Sequence, residues 1–155
     1  MKIFLGTDHE GFQLKEAIKR WLKEQSFEVA DEGAFEYNEG DDYPDFIDIV
    51  AKQVAADPEN NRGIIFGGSG QGEAMCANRF ARVRTIVYYG GTLDIIKLSR
   101  EHNNANILSI GARFVKEVEA KQAIEVWLAT NFSGDDRHIR RIFKIDNKPE
   151  RENFF

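Results

Sequence analysis

The stretch "GIIFGGSGQGE", Gly63 to Glu73, runs an apolar segment into a turn of four glycines around one serine and ends on an acid. A short apolar run bounded by glycine reads as a buried strand. The glycines let the chain turn sharply and expose backbone N–H groups before a helix begins, which is the build of an anion cradle. Strand, turn and helix in that order belong to an α/β unit. The acid that closes the turn, Glu73, is unexpected beside a bound anion.

Working outward, four further runs rich in Val, Ile and Phe read as strands: "KIFLGTD" (2–8), "FEVADEG" (27–33), "RTIVYY" (84–89) and "NILSIGA" (106–112). Helical patterns lie between them. Leu14, Ala17, Ile18, Trp21 and Leu22 repeat at the spacing of a buried helix stripe, as do Ala120, Ala123, Ile124, Trp127 and Leu128. Strands alternating with helices predict a doubly wound (Rossmann-like) α/β sandwich, with a five-stranded parallel sheet covered by helices on both faces. We expect one domain over residues 1–143. The polar segment 144–155 reads either as a tail or as an arm that docks Phe154 and Phe155 on a partner subunit.

A chain of 155 residues, 42% hydrophobic, suits one sizeable core. A formal charge of -5 argues against nucleic acid as a partner. The opening "MKIFLGTD" enters a strand without a signal-like apolar region, and no segment has the length of a membrane span, so a cytoplasmic protein is expected. The single cysteine, Cys76, reads as a small core residue, which leaves no disulfide framework.

In open α/β sheets the ligand lies beyond the carboxyl ends of the strands. Asp8 and His9 follow the first strand, the glycine turn follows the third, and Arg113 follows the fifth. The turn matches neither familiar phosphate loop. The dinucleotide pattern fails because its last glycine would fall on Glu73 or Met75, and the Walker pattern fails because Gly72 is followed by Glu73 and Ala74. What remains is a nest of N–H donors with a carboxylate behind it. That combination suits proton removal next to a carbonyl: Glu73 takes the proton while the N–H nest and Ser69 hold the enediolate oxygen. On spacing alone, Glu73 could equally complement a helix dipole.

Two basic stretches extend the picture. "DDRHIRRI" (135–142) sets Arg137 and Arg141 one helical turn apart, a spacing that clamps a phosphate or simply forms a solvated basic face. His138, by itself, reads as a surface or helix-end residue. "SREHNNAN" (99–106) puts His102 and Asn103 between a helix and the fifth strand. That turn lies at the edge of the sheet away from Glu73, so these residues reach the site only if a second subunit delivers them.

Five stretches together, "GTDHEGFQLK" (6–15), "DDYPDF" (41–46), "GGSGQGE" (67–73), "REHNNAN" (100–106) and "RHIRRI" (137–142), resemble in order and spacing the type B ribose-5-phosphate isomerases and related sugar-phosphate isomerases. The resemblance covers residues 2 to about 142. It implies an aldose–ketose isomerisation of ribose 5-phosphate and ribulose 5-phosphate through a cis-enediolate. Glu73 would be the base, with Ser69 relaying between O1 and O2, and Asp8 and His102 would open the furanose ring. His9, Arg137 and Arg141 would bind the phosphate with help from Arg113 and His138. Asn103 would hold the open chain, Tyr43 would line the sugar pocket, and Gly68, Gly70 and Gly72 would supply the turn. Many members carry a cysteine base at the position that is Gly67 here; this chain resembles the branch whose base is the glutamate closing the turn.

No metal and no cofactor are implied, since a positioned base and oxyanion donors suffice. A homodimer or homotetramer with sites shared between subunits is implied. Allose 6-phosphate, galactose 6-phosphate or a tetrose 4-phosphate are the rival substrates. A non-catalytic module that binds sugar phosphates or nucleotides is the rival of another class.

Overall fold

Successive residues of β3 (Asn61–Gly67) bury on opposite sides of a sheet, Ile64 and Phe66 against one layer of helices and Ile65 against the other. The same alternation separates Ile3 and Leu5 from Phe4 in β1 (Lys2–Thr7), and Leu108 and Ile110 from Ile107 in β5 (Ile107–Gly111). Both faces of the sheet are therefore dry, as near-continuous apolar strands require. The computed structural model describes residues 1–147. With β2 (Glu28–Asp31) and β4 (Thr85–Tyr88), all five expected strands form, and every pairing is parallel in the order β2-β1-β3-β5-β4.

The helices are α1 (Phe12–Glu24), α2 (Pro44–Ala56), α3 (Gln71–Ala77), α4 (Asp94–Asn103), α5 (Glu117–Ala129) and α6 (Asp136–Asp146). One layer packs Ile18 and Leu22 of α1, Ile96 of α4 and the Ala120–Ala123–Ile124–Trp127 stripe of α5 on the sheet. The other packs Ile47, Val50, Ala51 and Val54 of α2 and Ala77 of α3. Trp21 and Leu128, expected on the two stripes, sit at the edge of the first layer. Helix α6 runs past residue 144 to Asp146, so the expected tail starts in a helix. The rest of it, with Phe154 and Phe155, lies outside the described residues.

The strand order places the reversal of winding between β1 and β3, and the crevice beyond their carboxyl ends is where such sheets bind ligands. The loop from β2 to α2 closes over that crevice and is anchored from below. Lys15 is fully buried, and its ammonium donates to Asp31 Oδ1 (2.7 Å) and to the Ala34 carbonyl (2.6 Å). Lys19 adds a bond to Asp31 Oδ2 at 2.6 Å. Burial opposes ionisation of Asp31, but the two lysines prevail and hold its carboxyl below the usual range. Pro44 then opens α2, where its missing N–H leaves no bond unmade, and Tyr43 is set at the helix start.

Candidate active site

Asp8 follows β1 and caps a short 3-10 turn (His9–Gly11), its carboxylate accepting the Glu10 N–H at 3.0 Å. It is buried, and desolvation raises its pKa; the nearby charge of Asp41 adds to the rise. His9 donates its backbone N–H to Asp41 Oδ1 at 3.0 Å and brings its Nδ1 to the same oxygen at 2.7 Å. That contact, ahead of the charges of Asp8 and Glu10, raises the imidazole above its usual range. On the other side of the crevice Arg113 donates through Nε and Nη2 to the two oxygens of Glu10, at 2.9 and 2.5 Å.

The glycine turn is built around Glu73. Gly70 has φ +76°, a left-handed conformation open to glycine at little cost, and starts α3. Ser109 Oγ donates to the Gly70 carbonyl at 2.7 Å, and Ala112 N–H donates to the Gly67 carbonyl at 2.8 Å, which ties the turn to β5. Ser69 stands exposed at its tip, with Oγ accepting the Gln71 N–H at 3.3 Å. The Glu73 side chain folds back over Gly67 so closely that a Cβ at position 67 would overlap its carboxylate. A side chain at position 67 and the Glu73 carboxylate cannot share this space. Tyr43 and Arg113 close in from either side: a Cβ on Gly72 would meet Tyr43 Oη at 2.8 Å, and one on Gly68 would meet Arg113 Nε at 3.1 Å.

Glu73 is buried, and desolvation pushes its carboxyl above the usual range; its own backbone N–H offsets part of this, and the charge of Asp8 adds to it. A buried carboxylate raised in this direction can serve proton abstraction. Cys76 offers no competing nucleophile. Its thiol contacts Asp48 Oδ1 at 3.1 Å, and burial together with that acid pushes its pKa up to about 12, so the reactive thiolate is suppressed.

The other expected residues gather elsewhere. Arg84, just before β4, donates from Nε to the carbonyls of Asn103 and Asn104 and from Nη1 to Asp146 of α6 at 2.7 Å. His102 and Asn103 thus lie at the amino edge of the sheet, together with α6 and its exposed Arg137 and Arg141. The length of β5 separates this edge from the crevice, roughly 16 Å at about 3.3 Å per residue. His138 sits in the first turn of α6, a helix-end position as expected, but it is buried and not a surface residue, its ring stacked on His102 with centroids 4.4 Å apart. Arg137 Nε contacts His138 Nε2 at 3.2 Å. Burial, then His102 and Arg137, push the His138 imidazole below its usual range.

Two residues of the crevice escaped the sequence reading. Asp41 lies beside Tyr43 in "DDYPDF", but nothing local tells which of the paired acids turns inward. Glu10 meets Arg113 only because β1 and β5 end at the same edge. Asp8, His9 and Asp41 also bring possible ligand atoms within 4.8 Å of one another. Within this group His9 Nδ1 and Asp41 Oδ1 are already paired with each other.

A family model described as ribose/galactose isomerase matches residues 3–145. The chain belongs to this family. Among its relatives, the ribose-5-phosphate isomerase B of Mycolicibacterium paratuberculosis is 39% identical over 92% of this chain and 87% of that protein. The ribose-5-phosphate isomerase B of Escherichia coli is 38% identical over 98% of this chain and 99% of its own length. The crystal structure of the Mycoplasma genitalium ribose-5-phosphate isomerase B with bound ribulose-5-phosphate superposes with a TM-score of 0.88, covering 93% of each chain at 38% identity. The family's fold is thus the doubly wound α/β sandwich described above.

Proposed function

We propose that this chain interconverts ribose 5-phosphate and ribulose 5-phosphate, using Glu73 as the base. The observation that carries the reading is the buried, uncommonly basic Glu73 carboxylate lodged over Gly67 beside an N–H-rich turn. The relatives named ribose-5-phosphate isomerase B, one of them holding ribulose-5-phosphate, support the pentose as substrate.

Asp8 and His102 open the furanose ring by moving a proton between the ring oxygen and the anomeric hydroxyl. With the aldehyde exposed, Glu73 removes the proton from C2, and the electron pair moves through C1 onto O1. The turn N–H groups and Ser69 stabilise that oxyanion, and Ser69 relays a proton from O2 to O1. Glu73 then returns its proton to C1, leaving the ketone at C2. A positioned base contributes roughly 10²- to 10⁴-fold and an oxyanion donor roughly 10²- to 10³-fold, so the scheme has no step that calls for a metal. His9, Arg113, Arg137, His138 and Arg141 hold the phosphate, while Tyr43 and Asn103 flank the sugar.

His102, Asn103, Arg137, His138 and Arg141 serve this scheme from a second copy. Two half-sites at opposite edges of one sheet support that reading. So do the exposed apolar residues beside each: Met75, Tyr89 and Phe114 near the crevice, Ile139 and Phe143 on α6. A two-fold dimer would pair both half-sites at once, whether or not two dimers then form a tetramer. No helix among the described residues is long and apolar enough to cross a membrane. A charged sugar phosphate does not diffuse through lipid, which favours a cytoplasmic site of action.

The test is conversion of ribose 5-phosphate by the purified protein in excess EDTA, with allose 6-phosphate, galactose 6-phosphate and erythrose 4-phosphate alongside. Turnover fastest on the pentose is expected. Turnover on another sugar alone would overturn the substrate, and silence on all four would leave a binding module.

A further inference from the structure

Each expected phosphate ligand of the crevice is a cation that must keep its charge, and only His9 is able to lose it near neutral pH. The groups facing His9 are Asp8 and Glu10 on its own loop, Asp41 on the loop before α2, and Arg113 after β5, which acts through Glu10. Of these, Asp41 alone touches the ring directly. Its side chain is only 9% exposed, and Oδ1 receives both the His9 backbone N–H and the ring Nδ1. Asp41 Oδ2 is buried with no hydrogen-bond partner among the described residues, so this carboxylate is spent on one neighbour.

The ring is also held edge-on by Tyr37, with centroids 6.2 Å apart. Its free nitrogen, Nε2, points away from Asp41 and stands 3.7 Å from Glu10 Oε1. Glu10 is in turn held by Arg113. The space beyond Nε2 thus already accommodates an anionic group between two cations, which is the environment a phosphate needs.

From this geometry we infer that Asp41 is a positioning residue for the phosphate end of the substrate. It holds His9 by Nδ1–H and keeps the ring an imidazolium whose Nε2–H donates to the phosphate. The inference rests on the proposed phosphate role of His9. Asp41 acts through His9, its hydrogen-bond partner, so its effect falls on KM and not on the proton-transfer step. It also sets the pH range of binding: with Asp41 in place, His9 stays charged to higher pH than a free imidazole, and tight binding extends with it.

The experiment follows the His9 ring by NMR titration in the whole protein, wild type and Asp41→Asn, with His9→Asn identifying the signal. KM for ribose 5-phosphate and competitive inhibition by inorganic phosphate are measured across the same pH range. In the wild type His9 should titrate above the ordinary value of about 6.5. In Asp41→Asn it should move down, KM should begin to rise at lower pH, and near neutrality KM and the phosphate inhibition constant should rise about tenfold with kcat little changed. Adding Asp41→Asn to His9→Asn should raise KM no further.

A wild-type His9 titrating at or below the ordinary value overturns the inference even where the Asp41 variant does not fold. An unmoved His9 in Asp41→Asn, or a further rise of KM in the double variant, overturns it as well. If His9→Asn leaves KM and phosphate inhibition unchanged, the phosphate role itself fails, and the titration still reports separately on the Asp41–His9 pairing.

Discussion

The two edges of the sheet bury opposite kinds of side chain, Asp8 and Glu73 at the carboxyl edge and Arg84, Arg100 and His138 at the amino edge. The carboxyl edge gathers Asp8, Glu10, Asp41 and Glu73; burial raises the carboxyls of Asp8 and Glu73, with the charge of Asp41 adding to the rise at Asp8 and that of Asp8 adding to it at Glu73. The amino edge holds Arg84 and Arg100 as well as the stacked pair His102–His138 with Arg137 and Arg141 nearby, and burial together with the charges of Arg62 and Arg84 lowers Arg100 to about 10. A proton-abstracting carboxylate gains from acidic neighbours and a dry setting, whereas a phosphate clamp needs uncompensated positive charge. A free cation placed against Glu73 would lower its carboxyl toward the ordinary range; Arg113, at the same edge, is paired with Glu10 instead. Separating the edges lets each be built in its own electrostatic setting, and the proposed dimer would join them around the substrate.

The largest effect expected at the acidic edge comes from Glu73→Gln, which should lower kcat by roughly 10²- to 10⁴-fold while KM changes little. Steady-state kinetics on ribose 5-phosphate checks this, and a loss confined to KM would remove Glu73 from the role of base. Next, Gly67→Ala places a methyl group where the Glu73 carboxylate lies, and kcat should fall by about 10²-fold as the base is displaced, with the fold kept. A variant as active as the wild type would show that the carboxylate does not work from that position.

At the basic edge, Arg137→Ala should raise KM for ribose 5-phosphate by roughly ten- to a hundredfold, the loss of one charge-assisted contact. Competition assays should show that its affinity for unphosphorylated ribose is unaffected; equal losses for both would mean that the two edges do not divide the labour as described. Mixing Glu73→Gln with His102→Ala after dissociation and reassembly should restore roughly a quarter of wild-type activity, since half the dimers are hybrids with one intact site each. No recovery despite verified exchange would confine both edges to one chain's own chemistry.

The smallest signal is the titration of Glu73 itself. Because its folded pKa is raised, the Glu73 carboxylate is lost on acidification at a pH above the ordinary glutamate value of about 4.3. Carboxyl-labelled NMR, with Glu73→Gln to assign the resonance, should place the midpoint there, and a midpoint at or below the ordinary value would leave Glu73 without its advantage as a base.

Much of this was legible in the chain because it rests on local patterns. The apolar runs 2–8, 63–68 and 106–112 mark the central strands, since a strand buried on both faces leaves no room for polar alternation. The spacing of Ile18 and Leu22, and of Ala123, Ile124 and Trp127, marks helices for a similar reason. Glycines 67 to 72 followed by Glu73 mark the turn and its acid, and even the remoteness of His102 follows from its place between a helix and the next strand. What no stretch of sequence records is which side chains meet across the crevice. Asp41 on His9, Glu10 on Arg113 and His138 on His102 each join segments that only the strand order and helix packing bring together, and the fold of the glycine turn decides that the Glu73 carboxylate lies over Gly67. The residues alone determined the fold class and the chemical types at the strand ends; tertiary structure decided their burial and partners, and through desolvation and charge these raise the Glu73 carboxyl and the His9 imidazole and lower that of His138.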